Sequence, residues 1–75
     1  MNEYVFKPKT NLSHAELPNR DLANTNLTEA RLYKTNFTKA NLTNAYLTKA
    51  NLTGANFSGA NLAGAYLIST QLDKQ

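Results

Sequence analysis

With no cysteine in 75 residues, the chain can close no disulfide and offers no thiol nucleophile, and a single histidine, His14, cannot build a multi-histidine metal site. A domain this small buries only about 60% of the surface its unfolded chain exposes, so it needs a stabilising device beyond core size. Eight Lys and Arg against five Asp and Glu leave a formal net charge of +3, too slight an excess to point to nucleic acid by itself.

Taken in chain order, residues 1–9 come first and carry Tyr4, Val5 and Phe6 ahead of Pro8. They lack the apolar stretch of a signal peptide and are expected to fold over one end of the remaining chain, as a cap. No apolar run in the chain reaches membrane-spanning length. The expectation is a soluble, cytoplasmic protein without membrane contact.

From residue 10 to residue 75 one rule governs the chain. Leu or Phe stands at every fifth position: Leu12, Leu17, Leu22, Leu27, Leu32, Phe37, Leu42, Leu47, Leu52, Phe57, Leu62, Leu67 and Leu72. Two residues before most of these is a small one, Ala or Thr, with Arg20 the exception. One residue before stands Asn at 11, 26, 36, 41, 51, 56 and 61, and Asp at 21. A five-residue apolar period fits neither the ~3.6-residue repeat of a helix nor the ~2-residue repeat of a strand. A backbone that turns a corner every five residues reconciles it. Four sides then close a coil of twenty residues, with every Leu or Phe aimed at the axis and the small residue packed between.

A second period supports four sides. Phe37 and Phe57 are twenty residues apart, and so are Tyr46 and Tyr66. Thirteen sides make about three and a quarter coils. The position two after each Leu or Phe holds Asn19, Asn24, Asn44, Gly54, Gly59 and Gly64, but His14, Glu29, Lys34, Lys39 and Lys49 elsewhere. A type II turn requires a positive φ at that place, which favours Gly or Asn, so two kinds of corner are expected.

Runs such as Ala-Asn-Leu-Thr-Asn at 40–44, Ala-Asn-Leu-Thr-Gly at 50–54 and Ala-Asn-Leu-Ala-Gly at 60–64 resemble the pentapeptide-repeat family, over residues 10–74. The resemblance implies an all-β fold, a right-handed quadrilateral parallel β-helix or solenoid, common in bacteria. It also implies a non-enzymatic structural or protein-interaction module. The best understood members inhibit or protect DNA gyrase by imitating duplex DNA, which makes a DNA-mimic, topoisomerase-binding protein the alternative. A mimic needs a long rod with an acidic surface. Glu3, Glu16, Asp21, Glu29 and Asp73 face eight basic residues here, over about three coils.

The remaining motifs divide between chemistry and architecture. Six Asn-x-Ser/Thr triplets, beginning at Asn11, Asn26, Asn36, Asn41, Asn51 and Asn56, match the N-glycosylation pattern but arise from the repeat. Asn36 with Asn56, and Asn41 with Asn61, are expected to stack as side-chain ladders. Tyr46 and Tyr66 take the place of Asn on one side and should point outward, as should Tyr33. They read either as a stacking ladder or as an interface. Arg31, Lys34, Lys39 and Lys49 occupy the second coil, with Glu29 placed to pair with Lys49. A scattered basic surface does not supply the clustered cations of a phosphate site, so nucleic acid is a weak second alternative. Arg20 should point to the open N-terminal end.

No phosphate loop, paired carboxylates or nucleophile–base set appears, and neither a catalytic residue, a metal ligand nor a cofactor is expected. The candidate interaction surface is Tyr33, Tyr46, Tyr66, Lys39 and Lys49, facing an unidentified protein. The candidate end-to-end interface is Phe57, Leu62, Leu67 and Leu72, through which the chain would form a homodimer or stack on another repeat module.

Overall fold

The computed structural model describes residues 4–72; residues 1–3, where the expected cap begins, and 73–75 lie outside them. The chain winds about one axis, and every β-bridge joins residues twenty apart in parallel. Four columns of bridging residues define four sides. The first holds Asn11, Arg31, Asn51 and Gln71, and the second Glu16, Asn36 and Asn56. The third holds Asp21, Asn41 and Asn61, and the fourth Asn26, Tyr46 and Tyr66. Each side contributes a single bridge per coil, because a corner arrives before a longer strand can form. The fold is all-β, a right-handed quadrilateral β-helix.

Backbone pairing is regular. On the first side the Leu12 N–H donates to the Arg31 carbonyl and the Arg31 N–H to the Thr10 carbonyl, both at 2.8 Å. The corner N–H of His14 donates to the Tyr33 carbonyl, again at 2.8 Å. The same pattern recurs in the middle of the stack on all four sides, so interior backbone groups are satisfied by the coils above and below.

Side chains fill the axis as the five-residue rule requires. Leu17, Leu27, Leu32, Phe37, Leu42 and Leu47 are fully buried, with Ala30, Ala40, Ala45 and Ala50 between them. Burying each Leu contributes about 1.5–3 kcal/mol, and the regular backbone bonds between coils are the added device that a domain of this size needs. Phe37 and Phe57 stack with ring centroids 5.0 Å apart and planes 8° from parallel. Among the described residues Thr35 is the one polar residue buried in this core, and its hydroxyl donates to the Leu12 carbonyl at 2.8 Å. Among the described residues no buried side-chain polar atom lacks a partner.

The corners differ from expectation: one kind is present, not two. Ten non-glycine corner residues, among them His14, Glu29, Lys34, Lys39 and Lys49, have φ between 57° and 65°, and Gly54, Gly59 and Gly64 lie at 70–73°. The turn bond from the residue after the corner to the Leu or Phe carbonyl is made equally at Ala40, after Lys39, and at Ala60, after Gly59, at 2.9 Å each. Packing of each Leu or Phe inward and the rung bonds between neighbouring coils, made by every corner N–H from Lys9 to Lys49, fix the geometry whatever the residue. The coil therefore overrides the local preference for Gly or Asn.

Corner geometry also starts ahead of the apolar repeat. Lys7 stands where later repeats hold Leu, Pro8 takes the second turn position, and Lys9 has φ 65°. Its N–H donates to the Thr28 carbonyl at 2.9 Å. The coil thus begins within the segment that the sequence sets aside as a cap. Tyr4 and Phe6 pack against the core, and the Tyr4 hydroxyl accepts from the Glu16 N–H at 3.4 Å. Arg20 is exposed, as expected, with its guanidinium carbon 5.7 Å from the Tyr4 ring centroid. The two ends consequently differ: Leu12 is 5% exposed and Leu72 56%.

Candidate interaction surface

Because Leu27, Leu47 and Leu67 point inward from the fourth side, the residue before each must point outward. Where Asn26 stands in the first coil, Tyr46 and Tyr66 stand in the next two, 41% and 46% exposed. Their ring centroids are 4.5 Å apart with planes tilted by 37°. Ile68, on the same side above Thr28 and Thr48, is 73% exposed. Lys49 closes this side at its corner, and its N–H donates to the Ile68 carbonyl at 3.0 Å. Sequence reasoning passed over Ile68. The available signal was a branched apolar residue at an outward position that Ser, Thr or Ala holds in most other repeats.

Tyr33 lies on the first side, which comes directly after the Lys49 corner, and is also exposed. The His14 ring meets it edge-on, with centroids 5.6 Å apart and planes at 80°. The Lys34 ammonium sits 5.3 Å from its centroid. The structure therefore brings Tyr46, Tyr66, Lys49 and Tyr33 onto two adjacent sides. Lys39 is not with them. It closes the second side, where its N–H donates to the Ser58 carbonyl, at the corner diagonally opposite Lys49.

Two expected pairings are corrected. Glu29 pairs with Lys9 below it, at 3.8 Å, rather than with Lys49 above, and this is the one ion pair among the described residues. Lys9 is available because the coil starts early. The Asn columns align at the backbone, but the side-chain oxygens turn back to their own corners. The Thr38 N–H donates to Asn36 Oδ1 and the Ser58 N–H to Asn56 Oδ1, both at 3.0 Å. Thr28 adds a hydroxyl bond of 2.6 Å to Asn26 Oδ1. A corner N–H close by outcompetes a neighbouring amide, so each Asn-x-Ser/Thr triplet acts as a local clip. The amide nitrogens of Asn36 and Asn41 donate to Glu16 and Asp21, at 2.9 and 3.3 Å.

At the end of the described coil, Phe57 and Leu62 are partly buried against the core, whereas Leu67 and Leu72 are exposed. Among the described residues there is no pocket, no cluster of metal-binding side chains and no helix long and apolar enough to cross a membrane.

Comparison with known proteins gives matches of two kinds. A family model described as pentapeptide repeats matches in eight copies over residues 9–44 and 40–74. Curated proteins give no match. Among solved structures, the crystal structure of a pentapeptide repeat protein (Rfr23) from the cyanobacterium Cyanothece 51142 is similar, with a TM-score of 0.84 and 40% sequence identity. The similarity covers 88% of this chain and 46% of that one, so this chain spans less than half the length of its relative.

Proposed function

The chain belongs to the pentapeptide-repeat family, and from that premise we propose that it is a non-enzymatic protein-interaction module that binds a partner through its fourth side. One observation carries this reading. Two tyrosines stand stacked and outward in a column where the repeat otherwise calls for Asn. Stacking alone does not need a tyrosine, since the Asn columns on the second and third sides align just as well. Tyr supplies wide, rigid contact area with a polar tip, which is the chemistry of interface anchors. The described axis is filled by Leu, Phe and Ala, so a partner would meet this chain at its outer sides.

The test is affinity capture with the wild-type chain and with a Tyr46→Asn/Tyr66→Asn variant, both confirmed folded by circular dichroism. A partner held by the wild type and lost by the variant agrees with the reading. A partner held equally by both contradicts it.

The end-to-end contact is a second mode, favoured by the exposure of Leu67 and Leu72 at the last described coil. Its occupant would be a second copy or another repeat module, adding a further rung. Sedimentation at high micromolar concentration should detect a dimer. A monomer there would rule out self-association, leaving the lateral mode in place.

A further inference from the structure

Resting on the protein-binding reading of the tyrosine pair, we propose that the partner is an acidic segment bearing aromatic or apolar residues, seated where the fourth side meets the first. The argument starts from how charge is layered. Residues 10–29 carry Glu16, Asp21 and Glu29 against Arg20, residues 30–49 carry Arg31, Lys34, Lys39 and Lys49 with no acid, and residues 50–69 carry no charge.

The twenty-residue register then sorts these charges sideways. Glu16 and Asp21 fall on the second and third sides, where they accept bonds from Asn36 and Asn41. Glu29 is engaged by Lys9. The first side has no acidic residue among its described members, and it carries Arg31, with Lys34 at one corner and Lys49 at the other. These three cations have no carboxylate partner among the described residues. The Lys49 corner joins them directly to the column of Tyr46 and Tyr66 and to Ile68. Tyr33, flanked by Lys34 and His14, stands on the first side toward its other corner.

Arg31, Lys34 and Lys49 thus border the first side, next to the tyrosine column of the fourth; Glu29, one coil below Lys49 at the same corner, is neutralised by Lys9, and Glu16 and Asp21 lie on the other two sides. Net charge hides this. A basic rim around aromatic anchors steers and selects an acidic partner with apolar groups of its own. A protein segment fits better than a nucleic acid: three separated cations are few for a phosphate backbone, and the exposed isoleucine has no role in base stacking.

The probe is a fluorescent random copolymer of glutamate and tyrosine, compared with a lysine–tyrosine copolymer and with oligothymidylate by anisotropy at low salt. The glutamate–tyrosine copolymer should bind, and more weakly as salt rises. Arg31→Glu with Lys49→Glu should weaken it by about fivefold, as expected for exposed charges. Lys39→Glu, at the opposite corner, should leave it unchanged. Equal weakening by Lys39→Glu would overturn the proposal, because binding would then track net charge rather than this surface. Tighter binding of oligothymidylate would overturn it in favour of nucleic acid. If the lysine–tyrosine copolymer binds better and Tyr46→Asn/Tyr66→Asn abolishes that binding, the acidic partner is wrong while the tyrosine interface survives. If no copolymer binds, the acidic-segment proposal fails, and affinity capture with the same tyrosine variant judges the tyrosine interface separately.

Discussion

At the scale of single residues, the corners hold the strain. Lys39 has φ 59°, in a region that costs a residue with a Cβ about 1–2 kcal/mol. Replacing it with glycine removes that cost but adds glycine's backbone entropy of about 0.5–1 kcal/mol. Lys39→Gly should therefore stabilise the chain by up to about 1 kcal/mol in urea unfolding. Gly64 argues the reverse. At φ +72° its missing Cβ would meet the side-chain oxygen and carbon of Asn44, one coil below. Gly64→Ala should cost about 1 kcal/mol or more by the same measurement. Equal effects of the two substitutions would mean that the corners are not held in this conformation.

The elements of this fold are a side and its corner, and here the sequence was partly legible. A five-residue apolar period has one simple structural solution, so the inward Leu column, the four sides and the Tyr46–Tyr66 column could all be read from spacing. The uniform corner could not, because residue preference is a local quantity and the coil sets the backbone through rung bonds to the neighbouring coil. The Asn clips were hidden for a related reason. An Asn column looks alike whether its amides stack on each other or turn to their own corners. The Lys9–Glu29 pair was missed because Lys9 lies before the first apolar repeat, where the period gives no register.

The clip can be tested alone. Asn51 Oδ1 accepts the Thr53 N–H at 3.1 Å, and its bridging neighbour one coil below is Arg31. Asn51→Ala should cost about 0.5–2 kcal/mol, the range for losing a comparable side-chain cap on a backbone N–H. Asn51→Asp keeps the acceptor, as Asp21 does with the Ala23 N–H at 3.2 Å, and should retain most of that stability. Equal losses in both variants, measured by thermal unfolding, would mean that the oxygen is not the stabilising atom.

Over the whole molecule, register turns a nearly uniform repeat into distinct sides. Twenty-residue spacing puts Lys9, Glu29 and Lys49 in one column, Tyr46 and Tyr66 in another, and leaves Lys39 at the far corner. Both the binding surface and the packed axis depend on that spacing, so it is the central claim. The absence of native cysteine allows a clean test. Asn36 and Asn56 are bridged neighbours on the second side, at a rung spacing of about 4.8 Å, inside the ~4.4–6.8 Å Cα window for a disulfide. Asn36→Cys with Asn56→Cys should oxidise to an intramolecular disulfide, whereas Asn36→Cys with Asn51→Cys, fifteen apart and on different sides, should not. Ready closure of the second pair and failure of the first would contradict the four-sided register.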